Sequence, residues 1–192
     1  MTTLILASTS PYRRHLLERL GIDFMTASPD VDESRLVGEA PEHMVRRLSE
    51  AKARAAAEQH PNALIIGSDQ MAVCGDDVLG KPGTHDKATA QLAMLSGKRV
   101  SFLTGLCLFN SGTGSIQLDV IPFHVIFRVL DVAMIENYLR REQPYNCAGS
   151  FKSEGLGTAL FERLEGDDPT ALIGLPLIRL TRMLEQEGVR VI

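Results

Sequence analysis

The chain has 192 residues, 44% of them hydrophobic and 23% charged, which suits one soluble globular domain, or two lobes sharing a sheet, with a sizeable core. A formal net charge of -4 excludes a broadly basic, non-specific nucleic-acid binder. It leaves room for a small polyanion, because a few lysines and arginines can converge on an acidic protein.

The N-terminal run Met-Thr-Thr-Leu-Ile-Leu-Ala-Ser has no basic leader and only a short apolar stretch, so Leu4–Ala7 reads as a buried first strand rather than a signal peptide. No apolar stretch approaches the roughly 20 residues that cross a bilayer. The expectation is a cytoplasmic enzyme with no membrane association and a single domain over residues 1–192. Ser10-Pro11 starts a helix, with the hydroxyl as cap and proline in the first turn, and Gly21 ends it. A strand at Phe24–Ala27 leads into the polar loop Asp30-Val31-Asp32-Glu33.

Pro41 opens a longer helix in which Met44, Val45, Leu48, Ala51 and Ala55 recur at helical spacing, leaving Arg46, Arg47, Glu50, Lys52 and Arg54 for its other faces. Ala63–Gly67 reads as a buried strand ending in Ser68-Asp69-Gln70, and polar residues at a strand tip are a common seat of chemistry in α/β proteins. A hairpin at Gly75-Asp76-Asp77, a helix over 86–95, long strands over 100–110 and 116–130, and a helix capped by Asp131 follow. A loop-rich stretch from Pro144 to Gly174 leads to a final helix carrying Leu177, Leu180 and Leu184. Helices interleave with strands through both hairpins and crossovers, so the fold class is α/β with a mixed, twisted central sheet flanked by helices.

Several chemistries can be set aside. The three cysteines form no CxxC pair, so neither a zinc site nor a disulfide framework is expected, and they read as reduced packing residues. Gly75 to Lys81 matches the spacing of a phosphate-binding loop, but Pro82 stands where the metal-binding hydroxyl belongs, and proline has no N–H to offer a phosphate. There is no GxSxG, and the five histidines show no HExxH or other paired metal spacing. What remains is scattered. Ser8, Ser10, Arg13 and Arg14 sit at the first strand-to-helix turn, which suits an anion. Glu33 and Asp69 suit a shared hard cation such as Mg²⁺, while Lys52, Lys81 and Lys152 suit a triphosphate. Spacing alone does not bring these groups together.

Their segments in order, however, resemble the Maf family. Leu6-Ala7-Ser8-Thr9-Ser10-Pro11-Tyr12-Arg13-Arg14 is similar to its N-terminal signature. Val31-Asp32-Glu33, Glu50-Ala51-Lys52-Ala53, Gly67-Ser68-Asp69-Gln70, Gly80-Lys81-Pro82, Ala148 to Gly155 and Gly174-Leu175-Pro176 follow in family order. The resemblance implies an inosine-triphosphatase-like α/β fold with a cleft between two lobes, chains that are often dimeric, and metal-dependent (Mg²⁺ or Mn²⁺) release of pyrophosphate from nucleoside triphosphates. It implies Asp69 as the catalytic acid/base and as a metal ligand with Glu33. Ser8, Ser10, Arg13, Lys52, Lys81 and Lys152 fall in the implied phosphate-binding cluster. The family is also linked by name to septum formation, which leaves a nucleotide-binding regulator as a rival from another class.

Three positions depart from the branch acting on dTTP and UTP: Tyr12 in place of arginine, Gln70 in place of threonine and Glu154 in place of glutamine. This triple is similar to the branch acting on 7-methyl-GTP, and implies that Tyr12, Gln70 and Glu154 set specificity. The chemistry agrees, since N7-methylation makes guanine cationic and a tyrosine face attracts a cation by roughly 0.5–2 kcal/mol. A glutamate can accept from the N1–H and exocyclic amine of the base. The same chemistry on dTTP, UTP or CTP is the nearest alternative.

Overall fold

The computed structural model describes residues 3–192 and divides them into two compact units. The first comprises residues 3–70, Leu103–Ile121 and Asp168–Ile192; the second comprises Met71–Phe102 and Pro122–Asp167.

The first unit begins with β1 (Thr3–Ala7), followed by α1 (Pro11–Glu18), β2 (Met25–Ala27) and α2 (Pro41–Ala57). β3 (Ala63–Cys74) starts in this unit and ends in the second. β1 runs parallel to both neighbours, with Ile5 opposite Met25 on β2 and Ala7 opposite Gly67 on β3. Residues 63–68 are buried without a break, as a parallel strand covered on both faces requires. The period-two alternation of the strands sorts two layers. Leu4, Leu6, Leu64, Ile66, Leu106 and Leu108 pack with Leu16 and Leu17 of α1 and with Leu180, Met183 and Leu184 near the C-terminus. Ile5, Ala7, Ala63, Ile65 and Cys107 pack with Ala53 and Ala56 of α2. Apart from Ile5 and Ile65 that second layer is alanine and cysteine, and it lets α2 lie close to the sheet.

The second unit holds β4 (Asp77–Leu79), α3 (His85–Leu95), α4 (Val132–Glu142) and β7 (Phe161–Glu165), with parts of β5 (Arg99–Asn110) and β6 (Ile116–Phe127). Its aromatic core sets Phe151 edge-on to Phe102, Phe127 and Phe161, with ring centroids 5.1–5.5 Å apart. The chain returns to the first unit through α5 (Pro169–Ile173) and α6 (Leu177–Gln186). The strands follow the order β2-β1-β3-β5-β6-β7, with β4 antiparallel on β3 and β7 antiparallel on β6. This is the mixed α/β sheet flanked by helices that the sequence pattern implies.

Two expectations change. β3 does not end in Ser68-Asp69-Gln70 but continues to Cys74, because residues 72–74 pair with β4 after residues 63–67 have paired with β1. Ser68, Asp69, Gln70 and Met71 therefore lie in mid-strand, between the two registers. The stretch from Pro144 to Gly174 also contains a strand and a helix, β7 and α5, whose short runs carry no clear period. The Gly75–Lys81 spacing belongs to the β3–β4 hairpin, with Gly75 at φ +61°, so no phosphate-binding loop exists there. Among the described residues no helix is long and apolar enough to cross a membrane. Cys74 and Cys107 are buried free thiols, and burial pushes the Cys107 thiol up to about 12.

Candidate functional site

The turn after β1 is a knot around one hydroxyl. Ser8 is buried, and its Oγ accepts from the Ser10 N–H at 3.1 Å and from Arg13 Nη1 at 3.4 Å. Ser10 caps α1 by accepting from the Arg13 N–H at 3.4 Å, with Pro11 in the first turn. Arg13 Nε donates to the Gly174 carbonyl at 2.8 Å, tying this turn to the α5–α6 connection. Burial lowers the Arg13 guanidinium from its usual value, while Asp69 and then Glu33 push it back up. Both carboxylates thus lie near enough to act on the Arg13 charge. Tyr12, directly before it, is half-buried.

The acidic side of the site is assembled by α2 and β3. Gly67 and Gly105 bring sheet backbone against the helix: a Cβ on Gly67 would lie 2.0 Å from the Ser49 carbonyl oxygen, and one on Gly105 would lie 2.3 Å from that of Val45. At this contact Ser49 Oγ accepts the Asp69 N–H at 3.0 Å and donates to the Val45 carbonyl at 2.6 Å. Three residues on, Lys52 places its ammonium between two carboxylates, 2.6 Å from Asp69 Oδ1 and 2.7 Å from Glu33 Oε1. The Lys52 and Asp69 side chains are 9% and 14% exposed, whereas that of Glu33 is 62% exposed. The core face of α2 is Met44, Val45, Leu48, Ser49, Lys52, Ala53 and Ala56, so Lys52 lies on the buried face and not among the solvated charges. Two polar residues in that register mark the helix as more than a packing element.

Gln70 projects beside them. Its Nε2 donates to the carbonyls of Ala171 and Leu172, at 2.7 and 3.1 Å, and to Thr104 Oγ1 at 3.0 Å. Two carbonyl partners settle which end of the amide is nitrogen, and they leave the Oε1 acceptor outside these bonds. Ser68 Oγ reaches the carbonyls of Gly105 and Gly174 at 2.8 and 3.0 Å. Asp168, 2% exposed, caps two helices at once. Its Oδ1 accepts from the Thr170 N–H at 2.9 Å and from the Thr170 hydroxyl, and its Oδ2 accepts from the Ile178 N–H at 2.8 Å. Ser49, Thr104 and Asp168 escape motif reading, and Ser68 enters it only as part of the Gly67–Gln70 segment. Two of them had a usable signal: Ser49 is a polar residue in the apolar register of α2, and Asp168 stands before Pro169 as a helix cap.

Lys81, Lys152 and Glu154 belong to the second unit. Lys81 is exposed in the loop after β4, which is held by the Gly83 N–H donating to the Tyr145 carbonyl at 2.9 Å. Lys152 Nζ lies 3.4 Å from Glu142 Oε1, and its backbone N–H donates to the Tyr138 hydroxyl at 3.0 Å. Glu154 is exposed and accepts from the Ser153 hydroxyl at 3.0 Å. Gln91 links two segments of this unit: Nε2 donates to the Gly80 carbonyl at 3.3 Å, and Oε1 accepts from Ser150. In the first unit, therefore, Ser8, Ser10 and Arg13 share one turn, and Glu33, Lys52 and Asp69 form one contiguous ionic cluster.

Among the described residues no three His, Cys, Asp or Glu side chains converge into a metal cage. Glu33 and Asp69 nevertheless offer hard oxygen donors on one cluster, and Mg²⁺ commonly takes one or two protein carboxylates with substrate phosphate and water completing its shell. The pair fits such an ion. A concavity of about 420 Å³ on the outward side of α2, lined by His43, Arg46, Arg47, Glu50, Arg54 and Leu118, contains none of these groups. Its Arg47 and Arg54 are already paired with Glu39 and Glu50.

Residues 3–187 match the Maf-like protein family, and the chain belongs to it. Its relatives span its full length. A protein of Alcanivorax borkumensis named 7-methyl-GTP pyrophosphatase is 62% identical over 188 residues, covering 98% of this chain and 95% of the relative. Proteins of the same name from Pseudomonas fluorescens (strain Pf0-1) and Methylobacillus flagellatus are 58% and 57% identical, each over 100% of both chains.

Proposed function

We propose that this chain hydrolyses 7-methyl-GTP to 7-methyl-GMP and pyrophosphate. The observation that carries the chemistry is the Asp69–Lys52–Glu33 cluster, with Arg13 within its electrostatic reach. Full-length relatives of the same name support the substrate. In this reading a water oxygen forms the new bond to the α-phosphorus while the bond from that phosphorus to the bridging oxygen breaks. Asp69 takes the proton of the water, and the electron pair leaves on pyrophosphate. Lys52 fixes the Asp69 carboxylate, so the base is presented in one orientation. Arg13, held by Ser8 and Gly174, faces the charge that grows on the leaving phosphates.

Arg13, Lys52, Glu33 and Asp69 sum to zero formal charge, which is too little to hold a triphosphate. That balance is the physical reason to expect a divalent cation, Mg²⁺ or Mn²⁺, held by Glu33 and Asp69 and supplying positive charge against the phosphates. For the base, the Oε1 acceptor of Gln70 and the ring of Tyr12 suit a cationic purine with N–H donors. Glu154 is assigned to specificity by resemblance.

The test is pyrophosphate release from 7-methyl-GTP, GTP, dTTP, UTP and CTP, with and without Mg²⁺. The reading expects strong preference for the methylated base, loss of turnover on chelation and its return with metal. It also expects an inactive but folded Asp69→Asn. A dominant dTTP or UTP rate would refute the substrate. Nucleotide binding without hydrolysis would favour the regulator instead.

A further inference from the structure

β1 ends at Ala7, opposite Gly67, so β3 runs past its parallel neighbour two residues before Asp69. Beyond that point a backbone N–H turned to the β1 side needs another acceptor or water. Asp69 finds one in Ser49 Oγ at 3.0 Å, and the same hydroxyl donates to the Val45 carbonyl at 2.6 Å. The hydrogen bonds run in one direction, from Asp69 N–H to Ser49 Oγ and from Ser49 O–H to Val45 O, and such chains strengthen each other. Ser49 is fully buried, and the backbone around it is closed: a Cβ on Gly105 would stand 2.4 Å from its Oγ. Lys52, on the same face of α2, grips the side chain of the residue whose backbone Ser49 holds.

We infer that Ser49 is a positioning residue for hydrolysis, holding the Asp69 backbone and so setting the Asp69 carboxylate against the attacking water. The inference rests on the reading of Asp69 as the general base. Ser49 touches neither substrate nor water; it acts through Asp69. Held at backbone and side chain from one helix, Asp69 has little freedom to turn. Without Ser49 only the longer, more flexible lysine tether remains.

The effect should therefore appear in kcat rather than KM. A displacement near 1 Å at a reacting group costs up to about 100-fold. Ser49→Ala is expected to lower kcat for 7-methyl-GTP by about 10- to 100-fold, with KM within about twofold of wild type. Rates are compared at a temperature where thermal melting shows each variant fully folded. Wild-type kcat in folded Ser49→Ala overturns the inference, even if its Tm falls, because that pattern is what a packing role alone predicts. If wild-type protein fails to release pyrophosphate, or Asp69→Asn retains its rate, the functional reading itself fails and takes this inference with it.

Discussion

Gly67→Ala is the sharpest perturbation of the site that leaves every chemical group in place. An ideal Cβ at Gly67 meets the Ser49 carbonyl oxygen at 2.0 Å, the Ala53 nitrogen at 2.9 Å and the Ala53 Cβ at 3.0 Å. Contacts below 3.0 Å are essentially never occupied by real Cβ atoms, and the first of these is helix backbone that cannot rotate away. α2 must therefore withdraw from β3 by about 1 Å or more, at a cost of about 1–3 kcal/mol for overpacking. At about 2–4 °C per kcal/mol for a chain of this size, Tm should fall by about 2–12 °C. The same withdrawal lengthens both contacts between α2 and Asp69, at 2.6 and 3.0 Å, so kcat should fall by about 10- to 100-fold. Gly105→Ala pushes the same helix at Val45 and Ser49, so the double variant should cost less than the sum of the singles. Gly80→Ala, whose Cβ meets nothing within 4 Å, is the control for stability. Melting curves and steady-state pyrophosphate release would be measured together. A Gly67→Ala protein that melts within 1 °C of wild type and keeps its kcat would refute the close-approach argument, at a threshold of about 0.3 kcal/mol.

Three further outcomes follow from the same contacts. Lys52→Met leaves Asp69 and Glu33 without their shared cation; Glu33 is well solvated, so the stability loss should fall below the ~3–5 kcal/mol of a fully buried pair, while kcat drops by orders of magnitude. Asp168→Ala strips acceptors from the N-termini of both α5 and α6, and denaturant melts should show a loss of about 2–4 kcal/mol. The Glu39 carboxyl is held down to about 2, first by the hydrogen bonds from Arg47, against an ordinary 4.5. Because the folded value is the lower one, its contribution is present above 4.5 and lost as pH falls toward 2. Urea midpoints of wild type and Glu39→Gln should therefore converge as pH falls from 6 to about 2.5. Midpoints that stay equally separated across that range would contradict the assignment.

The opening strand, the proline-led helices and the mixed sheet were legible because each rests on local periods and caps. Leu4 to Ala7 is apolar throughout, Ser10 and Asp131 cap the helices that follow them, and Gly75 makes the hairpin it signals. The ordered family segments identified Asp69, Lys52 and Glu33 as candidates and assigned the reaction class. Two features were out of reach. β7 and α5 are short, and their placement depends on partners distant in the chain. The extent of β3 depends on a hairpin partner, which carries the strand beyond Asp69 and Gln70 instead of ending it at them.

The sequence by itself therefore determined the α/β class, the family and the chemical types of the site residues, since these follow from local pattern and residue identity. Only the tertiary structure decided which groups meet. Lys52 reads as one more helix charge until α2 is laid on two glycines, and its ammonium then falls between Asp69 and Glu33. Ser49 carries no motif and gains its meaning from the Asp69 N–H that its hydroxyl accepts. Both depend on the backbone-to-backbone distance between a helix and a sheet, a quantity that side-chain volumes across the whole layer set and that no local window contains.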